Sequence, residues 1–150
     1  MPADRKGMIE ALQNNLVPVL RQRGYTGSHP HYRRIGATHI DLITIQFDKW
    51  GGGFRGEIAK CPSRNIMGAC GIPVIPSKAK VWDSADNRHF LGKGEWLRYD
   101  DLPPGKDHLA HLALEAVKQL DVAELWFSGQ IELKYSNGTT RFLSHFLWRV

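Results

Sequence analysis

Two cysteines in 150 residues are too few for a disulfide framework. No apolar run approaches the roughly 18 residues that cross a bilayer. Runs of one charge are as scarce, the only contiguous basic pairs being Arg5-Lys6 and Arg33-Arg34. Internal repeats, low-complexity tracts and linker-like stretches are missing too. These gaps exclude membrane-spanning proteins, collagens, long coiled coils and wholly disordered chains, and they favour one globular domain over residues 1–150. After Met1-Pro2-Ala3-Asp4-Arg5-Lys6-Gly7 no apolar stretch of signal type follows. A cytoplasmic, reducing location is therefore expected, with Cys61 and Cys70 as free thiols.

What is present is an ordinary globular composition, 42% hydrophobic and 23% charged. A chain of this length buries about two thirds of its unfolded surface, enough for a core without metal or disulfide staples. The formal charge is +5, unevenly spread. Residues 1–98 hold fifteen basic and eight acidic residues, and residues 99–150 hold five and seven. A basic front can steer an acidic partner to one side, although a solvated surface has the same composition.

Ile9, Leu12, Leu16, Val19 and Leu20 recur at spacings of three and four, predicting a helix over 7–23. Asp4 is placed to cap it, and Gly24 to close it with Tyr25 folding back. Pro18 lacks an N–H and predicts a kink there. A short strand over His31–Ile35 and a turn at Gly36-Ala37 lead to HIDLITIQF, residues 39–47, the strongest strand in the chain. Ile43, Ile45 and Phe47 fall on one face, and Ile40 and Leu42 on the other. Gly51-Gly52-Gly53 breaks the run. The next strand, 54–60, puts Phe54, Gly56 and Ile58 on one face, while Arg55, Glu57 and Lys60 suggest a charged edge or solvent face. Residues 61–80 contain three prolines and read as a long, mobile loop. A strand anchored by Trp96 is expected over 95–99. A second helix over 104–120 opens on its prolines and buries Leu109, Leu112, Ala113, Ala116, Val117 and Leu120. It is expected to run on to about Phe127. A hairpin then turns at Asn137-Gly138. The architecture is α+β: an antiparallel sheet of four or more strands packed on one face by two helices.

The run from Leu16 to Tyr25, Tyr32, the strand from Ile40 to Gln46, the glycine turn and Phe54 follow a familiar order. Over residues 8–60 the chain resembles the bacterial domain of unknown function 4304 family. Where that family has an Asn-apolar-Gly triplet, this chain has Glu57-Ile58-Ala59. The resemblance implies a fold and no catalytic residues, because the family carries no established activity.

The remaining candidates are chemical. His29-x-His31 and His108-x-x-His111 are the tightest histidine pairs, but C-x8-C is not a zinc spacing, so no metal or other cofactor is expected. Neither cysteine has a nucleophile signature around it, and Ser128-Gly129 lacks the preceding Gly-x of a nucleophile elbow. Gly51-Gly52-Gly53 and Gly92-Lys93-Gly94 are not followed by the Gly-Lys-Ser/Thr of a phosphate loop. Asp100-Asp101 reads as a solvated approach to the helix. Arg33, Arg34, Trp50, Arg55, Lys60 and Arg64 interleave positive charge with an aromatic on or beside the sheet, and are the candidate binding residues. The function expected is non-catalytic binding of a protein partner, acidic by charge complementarity, of the immunity or toxin-neutralising type. Nucleic acid on the basic–aromatic face is the rival binding reading. A hydrolase with residues 61–80 as a lid is the rival enzyme. No membrane partner is expected.

Overall fold

The computed structural model describes residues 4–68, 70–84, 87–103, 105–136 and 139–142, with side chains up to Leu133. The first helix is one bent rod. α1 (Arg5–Asn15) begins where the Asp4 carboxylate accepts from Gly7 N at 2.7 Å. α2 (Val17–Gln22) follows after the single residue Leu16. The break lies just before Pro18, which has no N–H to give to the turn above. Arg23 and Gly24 close the rod. Gly24, at φ +90°, lets Tyr25 N reach Leu20 O at 3.0 Å and Gly24 N reach Arg21 O at 3.1 Å. That is the left-handed glycine cap, and it turns the Tyr25 ring into the core.

β1 (Thr26–Ser28), β2 (His31–Ile35), β3 (His39–Phe47) and β4 (Gly53–Pro62) form an antiparallel meander. β5 (Ile66–Met67) and β6 (Pro73–Val74) make a separate hairpin. β7 (Arg88–Phe90) and β8 (Leu97–Arg98) both pair with β4, completing a six-stranded sheet. α3 (Lys106–Phe127) follows, and then β9 (Leu133–Ser136) pairs with β10 (Thr139–Phe142). Ser136 lies opposite Thr139, the register that a two-residue turn requires, although Asn137 and Gly138 themselves lie outside the described residues. The helices cover one face of the sheet, and α1 packs along α3. The expected α+β class is therefore observed.

The main core lies between helices and sheet. Leu12, Leu16, Leu20, Ile43, Ile45, Phe54, Ile58, Leu109, Ala113, Ala116 and Leu120 are buried there, with Val19, Phe47, Leu112 and Val117 packed at its margin. A second core occupies the outer face. Ile40, Leu42, Ala59 and Cys61 of the sheet meet Ile66, Ala79 and Val81. Two expectations are corrected here. Residues 61–80 are not an unanchored loop, because Ile66 and Ala79, with Val81 just beyond, fold the segment back as a cover over the sheet. β4 is not a charged edge, because it has β3 on one side and β7 and β8 on the other, which leaves Glu57 buried and paired with Arg88 at 2.9 Å. Two smaller differences concern boundaries. Pro103 lies outside α3, which begins at Lys106, and in the strand near Trp96 it is Tyr99 that is buried.

Candidate functional site

Strand alternation decides where the six sequence-selected residues go. Arg33 and Arg34 are neighbours in β2 and must point to opposite faces. Arg33 goes to the outer face, where it is 8% exposed and donates from Nε to Ala79 O at 2.9 Å. It thus fastens the cover to the sheet. Arg34 goes to the helix side. Its guanidinium donates to Asp41 Oδ2 at 2.7 and 2.9 Å and to Glu124 at 2.9 and 3.0 Å, and lies 4.5 Å over the Tyr25 ring. Burial alone would lower its pKa, but the bonds to Glu124 and Asp41 outweigh that and raise it.

Register continues this polar row. Asp41 stands opposite both Arg34 and Lys60. Lys60 Nζ donates to Trp126 O at 3.0 Å, at the C-terminal end of α3, and lies 4.4 Å over the Trp126 ring. Burial lowers the Lys60 pKa, and Asp41 partly opposes this. His39 Nε2 is 3.2 Å from Asp41 Oδ1, close enough for an ion pair when the ring is protonated but not aligned as a hydrogen bond. The Tyr25 hydroxyl donates to Glu124 Oε1 at 2.6 Å. Burial and that bond keep its pKa far above the usual tyrosine range. The network ties β2, β3 and β4 to α3.

Arg55 is spoken for as well. Its guanidinium carbon lies 3.8 Å from the Phe90 ring centroid and 4.1 Å from that of Trp96, and Nη1 donates to Gly94 O at 3.0 Å. The aromatic–cation pairing legible in the sequence is thus real but largely internal. Four of the six candidates are used to hold the fold. They do not form one surface with Trp50 and Arg64, which are exposed.

Trp50 is different. It sits on the β3–β4 turn and is 86% exposed. The turn beneath it is braced from several directions. Trp50 N donates to Asp48 Oδ1 at 3.0 Å, Gly51 N to Asp48 O at 2.8 Å, and Asp48 N to Gly53 O at 2.9 Å. Tyr99 N donates to Gly52 O at 2.9 Å. Arg98 clamps Asp48 at 3.2 Å and Asp100 at 2.7 Å, and its hydrogen bond holds the Asp100 carboxyl below the usual range. Gly52, at φ +82°, has no room for a side chain, since a Cβ would fall 2.1 Å from Asp100 Oδ2. The glycine run therefore fixes a turn between two strands, as its position between strand patterns predicts. Lys49 Nζ lies 5.1 Å over the indole.

At the other end of the β3–β4 ladder, beyond the His39–Pro62 pair, the β5–β6 hairpin carries exposed Met67, Ile72 and Ile75. These were not selected from sequence. A usable signal was present: residues 58–82 contain Lys60, Arg64, Lys78 and Lys80 and no Asp or Glu. Beneath the excursion lies the second apolar core. The lid expected of a hydrolase would need a polar cleft there.

Among the described residues no group of three or more His, Cys, Asp or Glu comes together as a metal cage. His29 packs on Phe47 and His31 on Trp82, and His108 and His111 are both exposed on α3. Cys61 is buried and Cys70 exposed, both as free thiols. No described helix is long and apolar enough to cross a membrane.

A family model described as Domain of unknown function (DUF4304) matches residues 16–83, a partial stretch of the chain. That stretch begins later than the resemblance read from sequence and runs further, through the excursion. It contains all six selected residues, the Trp50 turn and the β5–β6 hairpin. No curated protein and no solved structure matches the chain.

Proposed function

We propose that this chain is a non-catalytic protein-binding module, anchored by Trp50 on its braced turn. The observation that carries the reading is a large aromatic side chain, 86% exposed, on backbone tied by hydrogen bonds to β4 and the β8 region. Tryptophan is among the residues that dominate interface hot spots, and prior rigidity lowers the entropic cost of docking it. The excess of basic residues over residues 1–98 favours an acidic partner, of the kind immunity or toxin-neutralising proteins engage.

The nucleic-acid reading shares Trp50 but keeps Arg64 alone of its five selected basic residues as an exposed phosphate contact. Arg33, Arg34 and Arg55 spend their donors on Ala79, Asp41, Glu124, Gln46 and Gly94. The test is calorimetric titration with an acidic polypeptide, poly-glutamate, as the probe, beside filter binding to single-stranded DNA at about 0.15 M salt. The reading expects at least a tenfold loss of protein affinity in Trp50→Ala, and only weak, sequence-indifferent DNA binding. Unchanged protein affinity in that variant refutes it. Sub-micromolar DNA binding lost in the variant supports the nucleic-acid reading instead.

A further inference from the structure

A cavity of about 420 Å³ lies between the Gly92–Gly94 turn, α3 and β9. Small-molecule sites occupy about 300–1,000 Å³. The floor of this one is apolar. Leu91 and Leu133 are buried in the main core, and Val122 of α3 packs against it. Gln119, Glu95 and Lys93 complete the walls with one amide, one carboxylate and one ammonium. An apolar floor with a few convergent polar groups is the makeup of a ligand site.

The turn beside the cavity is strained and held. Gly92, Lys93 and Gly94 have φ of +64°, +60° and +79°, three left-handed residues in a row. Glycine adopts that conformation freely, but Lys93 carries a Cβ into it. Such strain persists only where the surroundings impose it, and it gathers at ligand clamps. Gly94 N donates to Leu91 O at 3.2 Å and Glu95 N to Gly92 O at 3.1 Å. From the sheet, Arg55 Nη1 donates to Gly94 O at 3.0 Å. From α3, the Gln119 amide lies against Gly92, where a Cβ would fall 2.5 Å from Nε2. That amide has two donors and an acceptor, yet makes no hydrogen bond among the described residues. The Glu95 carboxylate likewise has neither a hydrogen bond nor an ion pair among them.

We propose that this cavity binds a small zwitterion with an apolar side chain, the chemistry of a free apolar α-amino acid. The side chain rests on Leu91, Val122 and Leu133. The ammonium group meets Glu95 and the Gln119 amide oxygen, and the carboxylate meets Lys93. A simple amine would set its charge against Lys93, and a simple carboxylate would set its charge against Glu95. A ligand bearing both charges complements both walls. The cavity shares no lining residue with the Trp50 turn, and the inference does not depend on the function proposed above.

The test is calorimetric titration of the full chain with L-phenylalanine, followed by its amide NMR spectrum. One site with a Kd below about 1 mM is expected. Phenethylamine and 3-phenylpropionate, which each keep one of the two charges, should bind at least tenfold more weakly. The resonances of Gly92, Gly94 and the Gln119 side-chain amide should shift on binding. Glu95→Gln and Lys93→Gln change exposed residues and should keep the wild-type urea midpoint, while each loses at least tenfold in affinity. Trp50→Ala should bind L-phenylalanine like the wild type, which separates this site from the protein-binding anchor. Absence of saturable binding overturns the proposal, as do equal affinities for the single-charge analogues or full binding by both charge variants. Shifts confined to other residues, or loss of binding in Trp50→Ala, place the ligand elsewhere and overturn it too.

Discussion

Replacing Arg34 by methionine keeps most of the stem that packs over Tyr25 and removes the guanidinium. The loss is not one of a surface ion pair, which is worth about 0–1 kcal/mol. The Asp41 side chain is only 9% exposed, and Arg34 and Glu124 are 27% exposed each. Removing one partner of a fully buried pair costs about 3–5 kcal/mol, because the other charge is left without its counter-ion. Here the cost is smaller. Asp41 keeps His39 at 3.2 Å, and Glu124 keeps the Tyr25 hydroxyl at 2.6 Å. About 2–3 kcal/mol is therefore expected. With a urea dependence of about 1–3 kcal/mol per molar, the unfolding midpoint drops by roughly 0.7–3 M at unchanged slope. Adding Asp41→Asn should cost less than the sum of the two single changes, since it removes the stranded charge. Arg34→Lys should recover only part, because an ammonium cannot span both carboxylates as the guanidinium fork does. A loss under about 1 kcal/mol for Arg34→Met would show that the network does not hold the sheet to α3. An Arg33/Arg34 double variant should lose stability whether or not either residue binds a partner, because both side chains hold structure.

Ile66→Ala should cost about 2–4 kcal/mol if the excursion is a packed cover, and urea unfolding that shows less than about 0.5 kcal/mol would return it to a loose loop. Thiol titration of the native protein should find Cys70 reacting at once and Cys61 only on unfolding, since burial first, and then Asp83, raises the Cys61 pKa. His29, His31 and His89 all have pKa values lowered from 6.5, first by burial. The unfolded chain therefore binds more protons at mildly acid pH, and the stability these groups contribute is present above about pH 6.5 and lost as pH falls through their folded values. Urea midpoints should decline from pH 7 to pH 5, and a flat profile would contradict their burial.

Much of the fold was legible because its signals are local. The Asp4 cap, the Gly24 closure, the two-faced strand from His39 to Phe47 and the helix to Phe127 each follow from residues within a few positions of one another. The break before Pro18 is of the same kind. The covered outer face was half legible. Ile40 and Leu42 announced a second buried side, but the prolines of 61–80 concealed that Ile66 and Ala79 would supply its cover. The site was least legible, because charge on a sheet does not state its partner. Arg34 meets Glu124 at a separation of 90 residues, and Arg55 meets Trp96 only after the chain has left β4 and returned. Trp50 stayed outward because it sits on a glycine-fixed turn; the glycine run was legible, and the exposure of the indole was not.

In the proposed function Trp50 engages the partner, while Arg33, Arg34 and Arg55 hold the fold. Measuring urea stability and partner affinity together on Trp50→Ala and Arg34→Met tests it most directly. Trp50→Ala should keep its stability within about 0.5 kcal/mol and lose affinity at least tenfold. Arg34→Met should lose about 2–3 kcal/mol of stability and bind with near wild-type affinity where it remains folded. The crossed result, an unstable Trp50→Ala that still binds and a stable Arg34→Met that does not, would contradict it.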